Sequence, residues 1–153
     1  MSNSKKLLIA ALAVIFLIGA TPLAAESWMG NGEEIPWEEP GGLIVYPWLE
    51  WSGTLVDGVF SGKWEKSTPG DGEIPKDTVF RVFSGSIIYF YTPYEGGPTF
   101  AHCEGEWNIA YLNRMLICGP FSMEFNITDG TCEGNWESFD GFCGTMWGWR
   151  CGG

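Results

Sequence analysis

Asp129-Gly130-Thr131-Cys132-Glu133-Gly134-Asn135-Trp136 carries the pattern from which the fold can be read. An Asp-Gly pair accepts positive φ at low cost and suits the two-residue type I′ loop of a β-hairpin. After it, small or apolar residues (Cys132, Gly134, Trp136) alternate with polar ones (Thr131, Glu133, Asn135). That is the period of a strand with one buried face. The spacing Asp-Gly-x-x-x-Gly-x-Trp also occurs from Asp57 to Trp64, and its second half recurs as Cys103-Glu104-Gly105-Glu106-Trp107. The chain therefore contains an internal repeat of a strand or hairpin.

A two-residue loop fixes registers. At Asp57-Gly58 it predicts Leu55 opposite Phe60, Gly53 opposite Gly62 and Trp51 opposite Trp64. At Asp129-Gly130 it predicts Ile127 opposite Cys132, Phe125 opposite Gly134 and Met123 opposite Trp136, with Glu124, Asn126, Thr128, Thr131, Glu133 and Asn135 on the wet face. Asp140-Gly141, treated alike, turns Trp147 and Trp149 inward, opposite Gly134 and Cys132. A glycine two residues from an inward tryptophan leaves a hollow that a neighbouring aromatic can cover, which offsets the poor strand propensity of glycine.

Outward from these hairpins, short runs of Val, Ile, Phe, Tyr, Trp and Thr recur between Gly, Pro, Asp-Gly or Asn, and no window holds helical periodicity. The expected fold is all-β: an antiparallel β-sandwich or partly closed barrel built of hairpins, preceded by a signal peptide. Residues 1–25 show a basic start (Lys5, Lys6), an apolar run from Leu7 to Ile18, and then small residues with Pro22, the three-part pattern of an export signal. The run is shorter than the roughly 20 residues of a membrane-spanning helix. Membrane contact is expected only through this segment if it stays uncleaved. Residues 26–42, rich in Glu, Gly and Pro, read as a flexible acidic arm, and residues 43–153 as the β-domain.

The chain has a formal net charge of −11, and all of its acids lie beyond residue 25. A chain so acidic lacks the basic face that phosphate contacts require, so nucleic acid is not an expected partner. Five cysteines, Cys103, Cys118, Cys132, Cys143 and Cys151, in an exported chain read as two disulfides and one odd thiol, with the pairing open. With one histidine, His102, and no Cys-x-x-Cys pair, neither a metal nor a cofactor is expected.

Aromatic residues make up 16% of the chain, and those outside the core register are candidates for sugar stacking: Trp37, Trp48, Tyr89, Tyr91 and Tyr94. His102 shares a strand face with Glu104 and Glu106, with Glu133 and Glu137 as further carboxylates, but all fall on the wet face, and no nucleophile elbow or phosphate loop accompanies them. An enzyme is not expected. Asn126-Ile127-Thr128 is a glycosylation sequon. The expected role is a secreted or cell-surface domain for structure or recognition, whose partner is a glycan or another surface protein. The alternatives are a carbohydrate-binding module and a subunit that self-associates by strand addition, with residues 43–49 as the donated strand.

Overall fold

The computed structural model describes residues 25–65, 79–111 and 114–152, so the proposed export segment, Ala25 apart, lies outside the described residues. Ten strands are present: β1 (Glu26–Gly32), β2 (Trp37–Glu38), β3 (Ile44–Val45), β4 (Glu50–Val56), β5 (Val59–Lys63), β6 (Val79–Tyr91), β7 (Phe100–Tyr111), β8 (Arg114–Asn126), β9 (Thr131–Glu137) and β10 (Cys143–Arg150). Eight of them form a closed antiparallel barrel in the order β1-β10-β9-β8-β7-β6-β5-β4, and β2 and β3 pair separately. The all-β antiparallel expectation holds, and the architecture is a barrel rather than a sandwich.

Closure depends on β1, which corrects the reading of residues 26–42 as an arm. Met29 is paired with Trp149 on one side and with Ser52 on the other, so β1 joins the last strand to the first hairpin. Its inward residues are Trp28, Gly30 and Gly32. Glycine here provides space: a Cβ on either Gly30 or Gly148 would come within 2.5 Å of the Trp51 ring. The same covering occurs where Phe83 lies over Gly53, Phe121 over Gly105 and Trp136 over Gly144. Small residues thus let one narrow barrel enclose Trp28, Trp51, Trp64, Trp107 and Trp136 together with Phe60, Phe83, Phe121 and Phe125. Edge-to-face contacts link the rings, with Trp107 5.1 Å from Trp64 and 5.4 Å from Trp136.

The three Asp-Gly turns differ in length. Asp57 and Gly58 both take positive φ, 50° and 77°, and the loop has two residues, with Leu55 opposite Phe60 and Gly53 opposite Gly62 as expected. The ladder stops at Ser52 and Lys63, before Trp51 and Trp64 could pair; the Trp64 N–H bonds instead to the Arg81 carbonyl. Around Asp129-Gly130 the loop has four residues. The Asn126 side chain accepts from the Asp129 N–H and donates to the Asp129 carboxylate, both at 2.9 Å, and β8 and β9 begin pairing at Asn126 and Thr131. The register moves by two, so Phe125 faces Cys132, Met123 faces Gly134 and Phe121 faces Trp136. An even shift keeps every side chain on its expected face.

At Asp140-Gly141 the loop has five residues. Ser138 brackets it: its N–H bonds the Phe142 carbonyl and its Oγ accepts from the Phe142 N–H, at 2.8 and 2.9 Å. The one-residue offset sets Met146 opposite Gly134 and Trp147 opposite Glu133. An odd shift exchanges the faces, so Trp147 and Trp149 point outward, 45% and 44% exposed, and Met146 takes the interior.

Residues 33–49 cross the end of the barrel between β1 and β4 and carry β2 and β3. They also place Trp37 and Trp48 in the core, 5% and 0% exposed. Trp48 stacks on Phe83 with centroids 4.6 Å apart, and the Trp37 indole N–H donates to Asp140 at 3.0 Å. Arg81 fixes the segment from the barrel side, donating to both Glu39 oxygens at 2.8 and 3.1 Å and forming an ion pair with Glu65 at 2.9 Å. Residues 43–49, the segment that the self-association alternative would donate to a neighbour and whose default reading is pairing within its own domain, are held within their own chain.

All five cysteines are free, contrary to the disulfide expectation. Cys103 and Cys132 both face the core but sit on β7 and β9 with β8 between them. Two strand spacings put them about 10 Å apart, beyond the roughly 7 Å that a disulfide can bridge. Cys143 and Cys151 are separated by the 8-residue length of β10. Burial first of all raises the thiols of Cys103, Cys118 and Cys132, each to about 12.

Candidate functional site

Because side chains fill the interior, a ligand is left the outer wall and the ends of the barrel. Two stretches of that wall mix aromatic and polar groups. They lie on opposite sides, since β6 and β10 are four strands apart in the ring of eight.

The first stretch spans β6, β7 and β8. A register irregularity between Ile87 and Tyr89 brings Tyr89 and Tyr91 into the outward row. Cross-strand pairing then aligns Tyr89 with His102 and His102 with Glu124. The Tyr89 ring stacks on the imidazole at 4.8 Å and 18°, and Tyr91 stacks on Phe100 at 5.3 Å and 15°. His102 Nδ1 bonds Glu124 Oε1, and Nε2 bonds Glu104 Oε1 at 3.1 Å. Only an imidazolium can donate from both nitrogens. Desolvation pulls the His102 pKa down, but the bonds and charges of Glu104 and Glu124 outweigh it, so the pKa stands above the ordinary histidine value. Glu124 also accepts from the Tyr91 hydroxyl at 2.9 Å. Desolvation, followed by that bond, raises the Tyr91 phenol.

Of the carboxylates grouped with His102 from sequence, Glu104 is in contact. Glu124 takes the second nitrogen, leaving none for Glu106, Glu133 or Glu137. Glu124 comes from the neighbouring strand, so only a correct β7–β8 register would have revealed it. Both imidazole nitrogens and both Glu124 oxygens are committed within the cluster. The cluster is a fixed, charged aromatic surface.

The second stretch lies over β1 and its neighbours β10 and β4. Here a groove of about 430 Å³ is lined by Met29, Asn31, Glu50, Ser52, Lys63 and Trp149, with Trp51 beneath Gly30. The Asn31 side chain is held by a bond from Nδ2 to the Leu49 carbonyl at 3.2 Å, and the Trp51 indole donates to the Asn31 carbonyl at the same distance. Trp147, paired with Asn31 on one side and Glu133 on the other, extends the aromatic surface along β10. The volume lies in the range of small-molecule sites. Sequence reasoning missed this groove because it turned Trp147 and Trp149 inward; the length of the loop at Asp140 was the missing signal.

Of the expected sugar-stacking residues, Tyr89 and Tyr91 meet on one wall, Tyr94 stands exposed in the loop after β6, and Trp37 and Trp48 are enclosed in the core. The Asn126 amide is engaged in its turn. Among the described residues no group of His, Cys, Asp or Glu is arranged to hold a metal ion. No family model, curated protein or solved structure matches the chain.

Proposed function

We propose that this protein is an exported, non-catalytic recognition domain that binds carbohydrate on its outer wall, with the Trp149 groove as the binding site. The observation that carries this reading is the groove itself: an exposed indole faces Asn31, Glu50, Ser52 and Lys63 across about 430 Å³. A pyranose presents C–H groups that stack on an aromatic face and hydroxyls that need donors and acceptors around the rim, and the groove offers both. The net charge of −11 favours neutral or amino sugars over acidic ones. The exposed carboxylates Glu104, Glu106, Glu133 and Glu137 on the wall suit a barrel surrounded by water, because a membrane barrel reverses the pattern, with an apolar wall and a polar interior.

The test is tryptophan fluorescence titrated with neutral and amino oligosaccharides. A saturable change should appear in the native chain, weaken about tenfold or more in Trp149→Ala, and survive in Tyr89→Ala. A response lost equally in Tyr89→Ala would move the site to the opposite wall, and a flat response to every sugar would end the carbohydrate reading.

A further inference from the structure

The chain has nine tryptophans, and all but Trp147 and Trp149 are buried. These two occupy successive outward positions of β10, where exposed and buried residues alternate from Cys143 to Trp149. An indole left in water forgoes the stabilisation that burying its large apolar surface would bring. Here two are left side by side on one wall. β10 is paired with β1 on one edge and with β9 on the other, so the barrel fixes the spacing of the pair at about 7 Å, two residues of strand rise.

The groups flanking the two indoles follow from the same pairing. Asn31 lies on one side of Trp147 and Glu133 on the other; Met29 and Thr131 lie on the two sides of Trp149. Asn31 gives one amide hydrogen to the Leu49 carbonyl. That bond holds the side chain in place and leaves its Oδ1 and second hydrogen for a ligand. The exposed Glu133 carboxylate can accept from two hydroxyls. Asn31 also lines the groove beside Trp149, so it is common to the groove and to the surroundings of Trp147. One position further along β10 the aromatic row ends, because Thr145 is bonded to the Glu33 carboxylate through both its N–H and its hydroxyl.

We infer that the ligand is an extended oligosaccharide lying along β10, with successive rings stacked on Trp149 and Trp147 and the hydroxyls of the second ring bonded by Asn31 and Glu133. The inference rests on the carbohydrate reading of the Trp149 groove and adds a second stacking position to it. One pyranose covers one indole face; two rings joined through a glycosidic oxygen repeat on the same scale as the strand. Once the first ring is anchored, the second stacks intramolecularly and adds affinity without a second cost of association. Both indoles stand on a strand paired along its two edges rather than on a loop, which keeps their spacing constant. Trp147 is thereby the residue that distinguishes a longer sugar from a single ring.

The test is calorimetric titration of the full chain with neutral glucose, xylose, mannose and N-acetylglucosamine sugars, each as the single ring and as linear oligomers. For a sugar that binds, affinity should rise about tenfold or more from the single ring to the oligomer. Trp147→Thr should remove that rise and keep the single-ring affinity, whereas Trp149→Ala should weaken binding at every length. A second measurement needs no variant: oxidation by N-bromosuccinimide, read by peptide mass spectrometry, should reach Trp147 and Trp149 before any buried indole. A single ring should then protect Trp149 and an oligomer both. Binding that is independent of length, a rise that persists in Trp147→Thr, or an oligomer that leaves Trp147 open to oxidation would overturn the inference while the groove reading stands. Indoles unreactive without sugar would also overturn it, since another part of the chain or a second copy would then cover them. A panel in which nothing binds at any length would end the carbohydrate reading and this inference together.

Discussion

His102 is held by two carboxylates from two directions, Glu124 across the strand pair and Glu104 along its own strand. Because its folded pKa is raised, the stability it contributes is fully present below the unfolded value of about 6.5. That contribution is lost as pH rises through the folded value. His102→Gln should therefore unfold more easily than the native chain near pH 5.5 and match it well above the folded pKa. Glu104 is largely exposed, so solvent screening limits the difference to about 1 kcal/mol or less. Chemical denaturation of both proteins across pH reads this directly; a gap that stays constant with pH would mean the imidazole acts by packing alone. At this scale the sequence displays the histidine and Glu104, two residues apart on one strand. Glu124 is 22 positions away, and only the pairing of β7 with β8 makes it a neighbour.

Elements divide according to how their turns are built. Asp57-Gly58 is legible because both residues adopt the left-handed conformation that the dipeptide favours. Asp129-Gly130 and Asp140-Gly141 are extended by side-chain bonds from Asn126 and Ser138, which an Asp-Gly count does not weigh. The four-residue loop is harmless to the face assignment, whereas the five-residue loop reverses it for the whole of β10. Substitution can show the reversal. Met146→Ala, a truncation in the filled interior, should cost about 2–5 kcal/mol. Trp147→Thr, on the wall, should change the denaturant midpoint little, within about 0.5 kcal/mol. Equal losses in the two variants would contradict the observed register. β1 was obscured for a related reason: Gly30 and Gly32 read as flexibility when taken with Pro36 and Pro40, although inside the barrel Gly30 lies under the Trp51 ring and Gly32 against the Trp48 backbone.

The whole molecule depends on that strand, because without β1 the barrel would have two open edges, on β4 and β10. Met29→Pro makes the dependence measurable. A proline in a strand paired on both sides removes a ladder bond and costs about 3 kcal/mol or more. The expected result is a large fall in the unfolding midpoint together with exposure of apolar surface to a hydrophobic dye. A variant as stable as the native chain would mean that residues 26–32 are an arm after all. All-β character and an aromatic core were readable in the sequence, because alternation and glycine spacing are local. Closure was not, because it pairs residues 29 and 149. The same closure has a mechanical consequence. β1 starts where β10 ends, with Trp28 paired to Arg150 and the Cys151 N–H bonded to the Ser27 carbonyl, so a force applied at residues 26 and 150 pulls from a single pole. The bonds between β1 and β10 would then be loaded one after another, as in opening a zipper, rather than all at once in shear. A barrel this densely filled would yield to tension at a low force, beginning at the seam.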